Sequence, residues 1–229
     1  HGATSVIQFR DDGYLPEALL NFLALVGWSY DDKTELFTRQ QLIEYFTLDK
    51  IGHAPAVFDH AKLDWMTGYY IRALPDDELA ARLLPFLERA HLQADAATVR
   101  GLVPLVRERL KKLSDIVALA DFLFLDDLEH NPGLLIGKAD AVSALAALRA
   151  AHVTLAKYPS FADEEKIEAE LRADAQKLGQ KNAQFFGALR VAVTGKTVSL
   201  PLMGSLRLLG AEKTLRRIAR AIALLEHKA

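Results

Sequence analysis

The sequence has no cysteine among its 229 residues, so disulfides, zinc–thiolate sites and thiol nucleophiles are excluded. With 13 Gly and 8 Pro it is too poor in both to be a linker or a low-complexity chain. Neither sign of charge dominates. The formal net charge is −2, so any polyanion must be met by local patches rather than by a summed positive field. Long apolar runs are missing too. The longest, Ala18 to Trp28, is broken by Asn21 and far too short to span a bilayer. Alternating strand patterns, fixed-period repeats and a secretory signal are all absent. The expectation is a soluble, cytoplasmic, membrane-free protein that begins inside a longer one, since His1-Gly2-Ala3 carries no initiator Met.

What is present is helical periodicity. Ser5 to Gln8 reads as a capping box for a short helix stopped by Gly13, and Thr38 with Gln41 reads as a second box. Pro16 suits a helix start, and Leu19, Phe22, Leu23 and Val26 follow on one face. Asp59 is expected to cap a helix reaching Arg72, with Trp65 and Tyr69 read as core residues ahead of the alternative, stacking residues. Pro85 and Pro104 are expected to kink or split their helices. Asp126 to Lys138, acidic and then Asn-Pro-Gly, reads as a linker. Gly210 divides helices at Leu202–Leu209 and Ala211–Glu226. The fold class expected is all-α.

Most chemical motifs fail on inspection. Gly195-Lys196-Thr197 suggests a phosphate loop, but Arg190 stands where the first glycine belongs, and the preceding "FFGALRVAV" fits a helix at least as well as the strand the motif needs. A capping turn is the better reading. The seven histidines are scattered without ligand spacing, so no metal site is expected, and no Ser/His/Asp set comes with a nucleophile elbow. Basic residues do cluster. Five lie between Arg100 and Lys112, and six between Met203 and Ala229. Such clusters are usually solvated helix faces, and an all-helical protein–protein adaptor is the competing reading. Arg190 differs because it is isolated in "FFGALRVAVTG", and its planar fork there requires a carboxylate, a base or a phosphate.

"HGATSV", "DDGYLPEALLNFLALVGWS" and "PAVFDHAKLDWMTGYYIR", in that order, together with "FFGALRVAVTGKTVSLPLMGSL", resemble bacterial glutamyl-tRNA synthetases. The resemblance covers the chain from just after the family's K-M-S-K-R loop, and is densest in residues 1–72 and 181–210. It implies a stem-contact helical domain (1–75) and two helical anticodon-binding subdomains (76–128 and 129–229). The implied partner is tRNA(Glu), with no DNA and a monomeric parent. No cofactor is implied in this chain. ATP and Mg²⁺ would belong to a catalytic domain outside it, because the sequence holds neither H-I-G-H nor K-M-S-K. This chain alone is therefore expected to be inactive. Carried over residue by residue, the resemblance gives Arg109 the third anticodon base, cytosine, with Arg107 as the competing register of "LVRERLKKL". It gives anticodon contacts to Arg172, Arg190, Ser199 and Leu202, with Ser199 standing where Thr or Pro is commoner. Arg72, Arg107, Lys213, Arg216 and Arg217 are candidates for the tRNA backbone, whose salt-dependent contacts add affinity without sequence information.

Overall fold

The computed structural model describes residues 5–52 and 57–227. The quoted His1 to Thr4 and Pro55-Ala56 lie outside them. Thirteen α-helices and two 3-10 turns make up the regular structure of the described residues, and one isolated bridge, Trp28 to Ile51, is the nearest approach to a strand. The chain condenses into two units, residues 1–118 and 119–229.

In the first unit, α1 (Val6–Asp11) and α2 (Pro16–Leu25) are followed by α3 (Arg39–Tyr45), α4 (His60–Ala73), α5 (Asp76–Arg89) and α6 (Ala96–Val106). The 3-10 turns span Leu48–Lys50 and Arg107–Arg109. Ser5 caps α1 through Gln8 N at 3.1 Å, but the reciprocal half of the box is lost because the Gln8 amide turns to Asp12 Oδ1 at 2.9 Å. Thr38 and Gln41 complete theirs, at 3.2 and 2.8 Å. Both prolines are tolerated: α5 runs through Pro85, and α6 passes Pro104 before tightening into the 3-10 turn at Arg107. The missing N–H removes one bond from each helix, while Leu83, Leu87, Leu102 and Val106 are wholly buried and hold the pair together.

Two polar devices fix this unit. Asn21, the interruption in the apolar run, is fully buried; its Oδ1 accepts from Phe37 N at 2.7 Å and its Nδ2 donates to Glu35 O at 3.0 Å. The Tyr70 hydroxyl lies 2.5 Å from Asn21 Oδ1 and 2.7 Å from Phe37 O, so one proton serves both acceptors. The second device joins residues distant in sequence. Gly13, at φ +93°, accepts from Leu113 N at 2.8 Å, and Ser114 Oγ donates to Asp12 O at 2.6 Å. A Cβ on Gly13 would sit 2.5 Å from Ser114 N, so only glycine fits.

The unit boundary falls inside α7 (Asp115–Phe124). Beyond it come α8 (Pro132–Ile136), α9 (Ala141–Leu155), α10 (Glu164–Lys177), α11 (Asn182–Thr194), α12 (Leu202–Leu209) and α13 (Ala211–Glu226). Leu148, Leu155, Leu171, Phe185, Leu189 and Ile218 are buried in this core. The stretch expected as a linker, Asp126 to Lys138, is instead part of this unit. Its first carbonyl oxygen, that of Asp126, is gripped from α13, and α8 packs on α11. Turn chemistry at Asn131-Pro132 is present but opens a helix, with Asn131 Oδ1 accepting from Gly133 N at 2.9 Å.

Candidate nucleic-acid interface

In the second unit the site is built on α11. Gly195 ends that helix in the left-handed region (φ +72°), its N–H bonded to Val191 O at 2.8 Å. The Gly-Lys-Thr stretch is thus a helix stop. Lys196 anchors the turn to α7 through Asp121 Oδ1 at 2.5 Å. The chain then folds back beside Arg190, whose Nη1 donates to Ser199 Oγ at 2.7 Å and to Leu200 O at 2.8 Å. Pro201 opens α12 with Leu202 as its first residue. Arg190, Ser199 and Leu202 are therefore neighbours by construction. Arg190 is half-buried, whereas Ser199 and Leu202 are each only 7% exposed, so Leu202 gives most of its side chain to the core.

Arg172 approaches from α10. Its Nε donates to Glu168 Oε1 at 3.0 Å, and its guanidinium lies over the Phe186 ring with Cζ 5.4 Å from the centroid. Phe186 stands one helical turn before Arg190 on α11, which places the pair on one face. Arg172, Phe186 and Arg190 thus follow one another across α10 and α11, the cation–ring contact being that of Arg172 with Phe186.

A second basic site lies in the first unit, a cleft of about 330 Å³ between α4 and the turn at Arg107–Arg109. Asp64, Trp65, Arg72, Glu108, Arg109 and Lys111 line it. Trp65 is 47% exposed and Tyr69 is 44% exposed, so both are surface residues and the core expectation for them is corrected. Arg72 pairs loosely with Glu108, at 4.0 Å. Arg72 and Arg109 thus share one cleft with an exposed indole.

Three of the candidates for the tRNA backbone are bonded within the chain. Arg107 Nη1 donates to the carbonyls of Ile71, Arg72 and Leu74 at 3.2, 2.9 and 2.6 Å, and Nη2 to Asp76 Oδ1 at 2.5 Å. Arg217 is 1% exposed; it donates to Val193 O (2.7 Å), Phe122 O (2.8 Å) and Leu125 O (2.6 Å). Lys213 donates to Leu123 O at 3.1 Å. The carbonyls at the end of α7 have no helical partners, and the negative end of its dipole attracts cations. Arg217 and Lys213 supply what that helix terminus lacks. Burial, with Arg216 nearby, lowers the Arg217 pKa to about 10, and burial also lowers that of Lys213. Neither Arg107 nor Arg217 can reach a phosphate without dismantling these bonds. Arg216 is different: it stands on the exposed side, 3.7 Å from Glu212 and 3.4 Å from Asp126 O.

The model of the anticodon binding domain family matches residues 78–222, more than half of the chain. The chain belongs to this family. A second model, the catalytic domain of class I tRNA synthetases (E and Q), matches residues 1–65. Among curated proteins, this anticodon-binding chain is 47% identical over 233 residues to a glutamate–tRNA ligase of Dehalococcoides mccartyi (strain BAV1), covering 98% of the chain and 47% of that protein. A glutamate–tRNA ligase of Roseiflexus sp. (strain RS-1) is 46% identical over 95% of the chain and 44% of its own length. The chain thus spans about half the length of the curated relatives it matches. Among solved structures, a glutamate tRNA ligase from Elizabethkingia meningosepticum superposes with a TM-score of 0.83 over 95% of the chain and 43% of its own. At 22% identity that likeness is one of fold.

The exposed indole carried a sequence signal in its helical phase. Stepping about 100° per residue along α4, buried Leu63, Met66, Thr67 and Ile71 occupy one face. Trp65, Tyr69 and Arg72 fall together on roughly the opposite one. A wheel drawn on "LDWMTGYYIR" separates them before any coordinates exist.

Proposed function

We propose that this chain is the tRNA-reading part of a glutamate–tRNA ligase and binds tRNA(Glu) at its anticodon. The observation that carries the proposal is the Arg172–Phe186–Arg190 series on α10 and α11, with Arg190 aimed by Ser199 and Leu200. Unstacked anticodon bases offer π-faces to rings and guanidinium planes, and Watson–Crick edges to arginine forks. In this reading Arg190 reads a base edge, and Phe186 with Arg172 forms the stacking platform. Ser199 holds Arg190 in place, and Leu202 backs that loop from the core. Arg109, in the cleft beside Trp65, takes the third anticodon base. Arg107's commitment to α4 supports that register over its competitor. Arg72 and Arg216 are left for phosphates.

The three-part division at residues 75 and 128 describes these roles, even though the chain condenses into two units. Ligation of glutamate with ATP and Mg²⁺ is proposed for the parent's catalytic domain, and the cytoplasm as its site of action.

The test is a titration with the anticodon stem-loop of a glutamate tRNA at two salt concentrations. Binding should weaken as salt rises, and Arg190→Ala should weaken it by roughly 10- to 100-fold, the value of one good bidentate base contact. Failure to bind even intact tRNA at low salt, with the fold intact, would sink the reading and return the adaptor to first place.

A further inference from the structure

We infer that Arg107 is the positioning residue that sets the spacing of the Trp65–Arg109 cleft. The inference rests on the proposed reading of that cleft as a base-binding site. Arg107 is the first residue of the turn that carries Arg109, so any displacement of its backbone moves Arg109. Its side chain, 17% exposed, closes the end of α4, the helix that carries Trp65 and Arg72. The three carbonyls it holds, of Ile71, Arg72 and Leu74, lie at or just past the end of α4, where helical N–H donors run out; Ile71 O is shared with Leu74 N, at 3.2 Å. Asp76 Oδ1, bound at 2.5 Å, brings the start of α5 into the same clamp. One planar fork therefore ties together the end of one wall and the beginning of the other.

The floor of the cleft shows how little slack that clamp allows. A Cβ on Gly68 of α4 would lie 3.3 Å from Leu110 O, tighter than ordinary van der Waals contact, so the two walls approach there too closely for an added methyl unless one gives way. Lysine does not replace such a clamp, because an ammonium is a compact point charge without the five donors of a rigid guanidinium fork. The role of Arg107 is to act through Arg109 and Trp65 rather than to touch RNA itself.

The experiment is a panel of anticodon stem-loops, each anticodon base replaced in turn, titrated against the whole chain and its Arg109→Ala, Arg107→Lys and double variants. Arg109→Ala should lose discrimination at one base. Arg107→Lys should lose about tenfold at that same base, keep discrimination at the bases read elsewhere, and add nothing further when combined with Arg109→Ala. Uniform weakening at every base, or unchanged discrimination with Arg107→Lys, would overturn the inference. Should Arg107→Lys melt the first unit, Asp76→Asn serves instead, since it leaves the three carbonyl bonds in place; a loss of about threefold at that base alone is expected, and none overturns it. If Arg109→Ala discriminates as well as the unaltered chain, the reading of the cleft falls first and the clamp with it.

Discussion

Replacing Arg217 by methionine separates a structural cation from an RNA-binding one. The guanidinium is 1% exposed and donates to three carbonyl oxygens, of Val193, Phe122 and Leu125. Hydrogen bonds from a charged donor contribute about 1.5–3 kcal/mol each, or roughly 5–9 kcal/mol for three. Burying the charge opposes this. Its pKa is pushed down to about 10, which corresponds to about 3 kcal/mol disfavouring the charged form. The net loss expected on Arg217→Met is therefore roughly 2–6 kcal/mol, since methionine keeps the apolar stem and removes every donor. That is a large share of the 5–15 kcal/mol typical of a folded domain. Because the chain has two units, a single melting curve mixes their transitions, and amide hydrogen exchange in α11 and α13 is the better assay. Protection there should drop by at least about 30-fold, each 1.4 kcal/mol being a factor of ten. Protection within about threefold of the unaltered chain would refute the reasoning, because water would then satisfy those carbonyls as well as the guanidinium does. Provided the variant stays folded, its RNA affinity should retain its salt dependence.

Arg216→Ala should do the reverse, lowering the slope of log affinity against log salt by about 0.7–0.9 while changing stability by less than about 0.5 kcal/mol, as a salt titration and a denaturant curve will show. Gly13→Ala, at φ +93° and with its Cβ 2.5 Å from Ser114 N, should destabilise the first unit by about 3 kcal/mol or more, measured by exchange of α1 and α2 amides. Glu17→Gln tests a pH dependence. Hydrogen bonds from Arg82 at 2.8 and 3.1 Å hold the Glu17 carboxyl below its ordinary 4.5, so its contribution is complete above that value and is lost as pH falls through the folded one. As pH falls below about 4.5 the unaltered chain should therefore lose stability more steeply than the variant, and parallel curves would count against the pair.

Helix ends were legible because caps are local chemistry. Thr38, Asp59 and Gly210 mark boundaries that the fold keeps. The all-α class followed from periodicity alone. The basic residues were less legible, because their roles depend on partners far away in sequence. Arg216 and Arg217 are adjacent on α13, yet one faces solvent and the other fills the end of α7, more than 90 residues earlier. Nothing in "TLRRIAR" distinguishes them except helical phase, in which Arg217 falls with buried Thr214 and Ala221. The same phase argument applies to Trp65. Arg190 stood out for the opposite reason, as a lone cation among apolar residues, although the returning loop offers it a hydroxyl and a backbone carbonyl where a carboxylate, base or phosphate was expected.

The bond between Gly13 O and Leu113 N gives the first unit a birth order. A ribosome adds roughly 5–20 residues each second, so α1 and α2 wait roughly 5–20 s before their partner segment is made. Through that interval Phe9, Tyr14 and Leu15, all buried in the finished fold, have no finished core to enter. Slowing translation over the codons for residues near 100 should therefore raise the yield of aggregate more than slowing it over those for residues near 200.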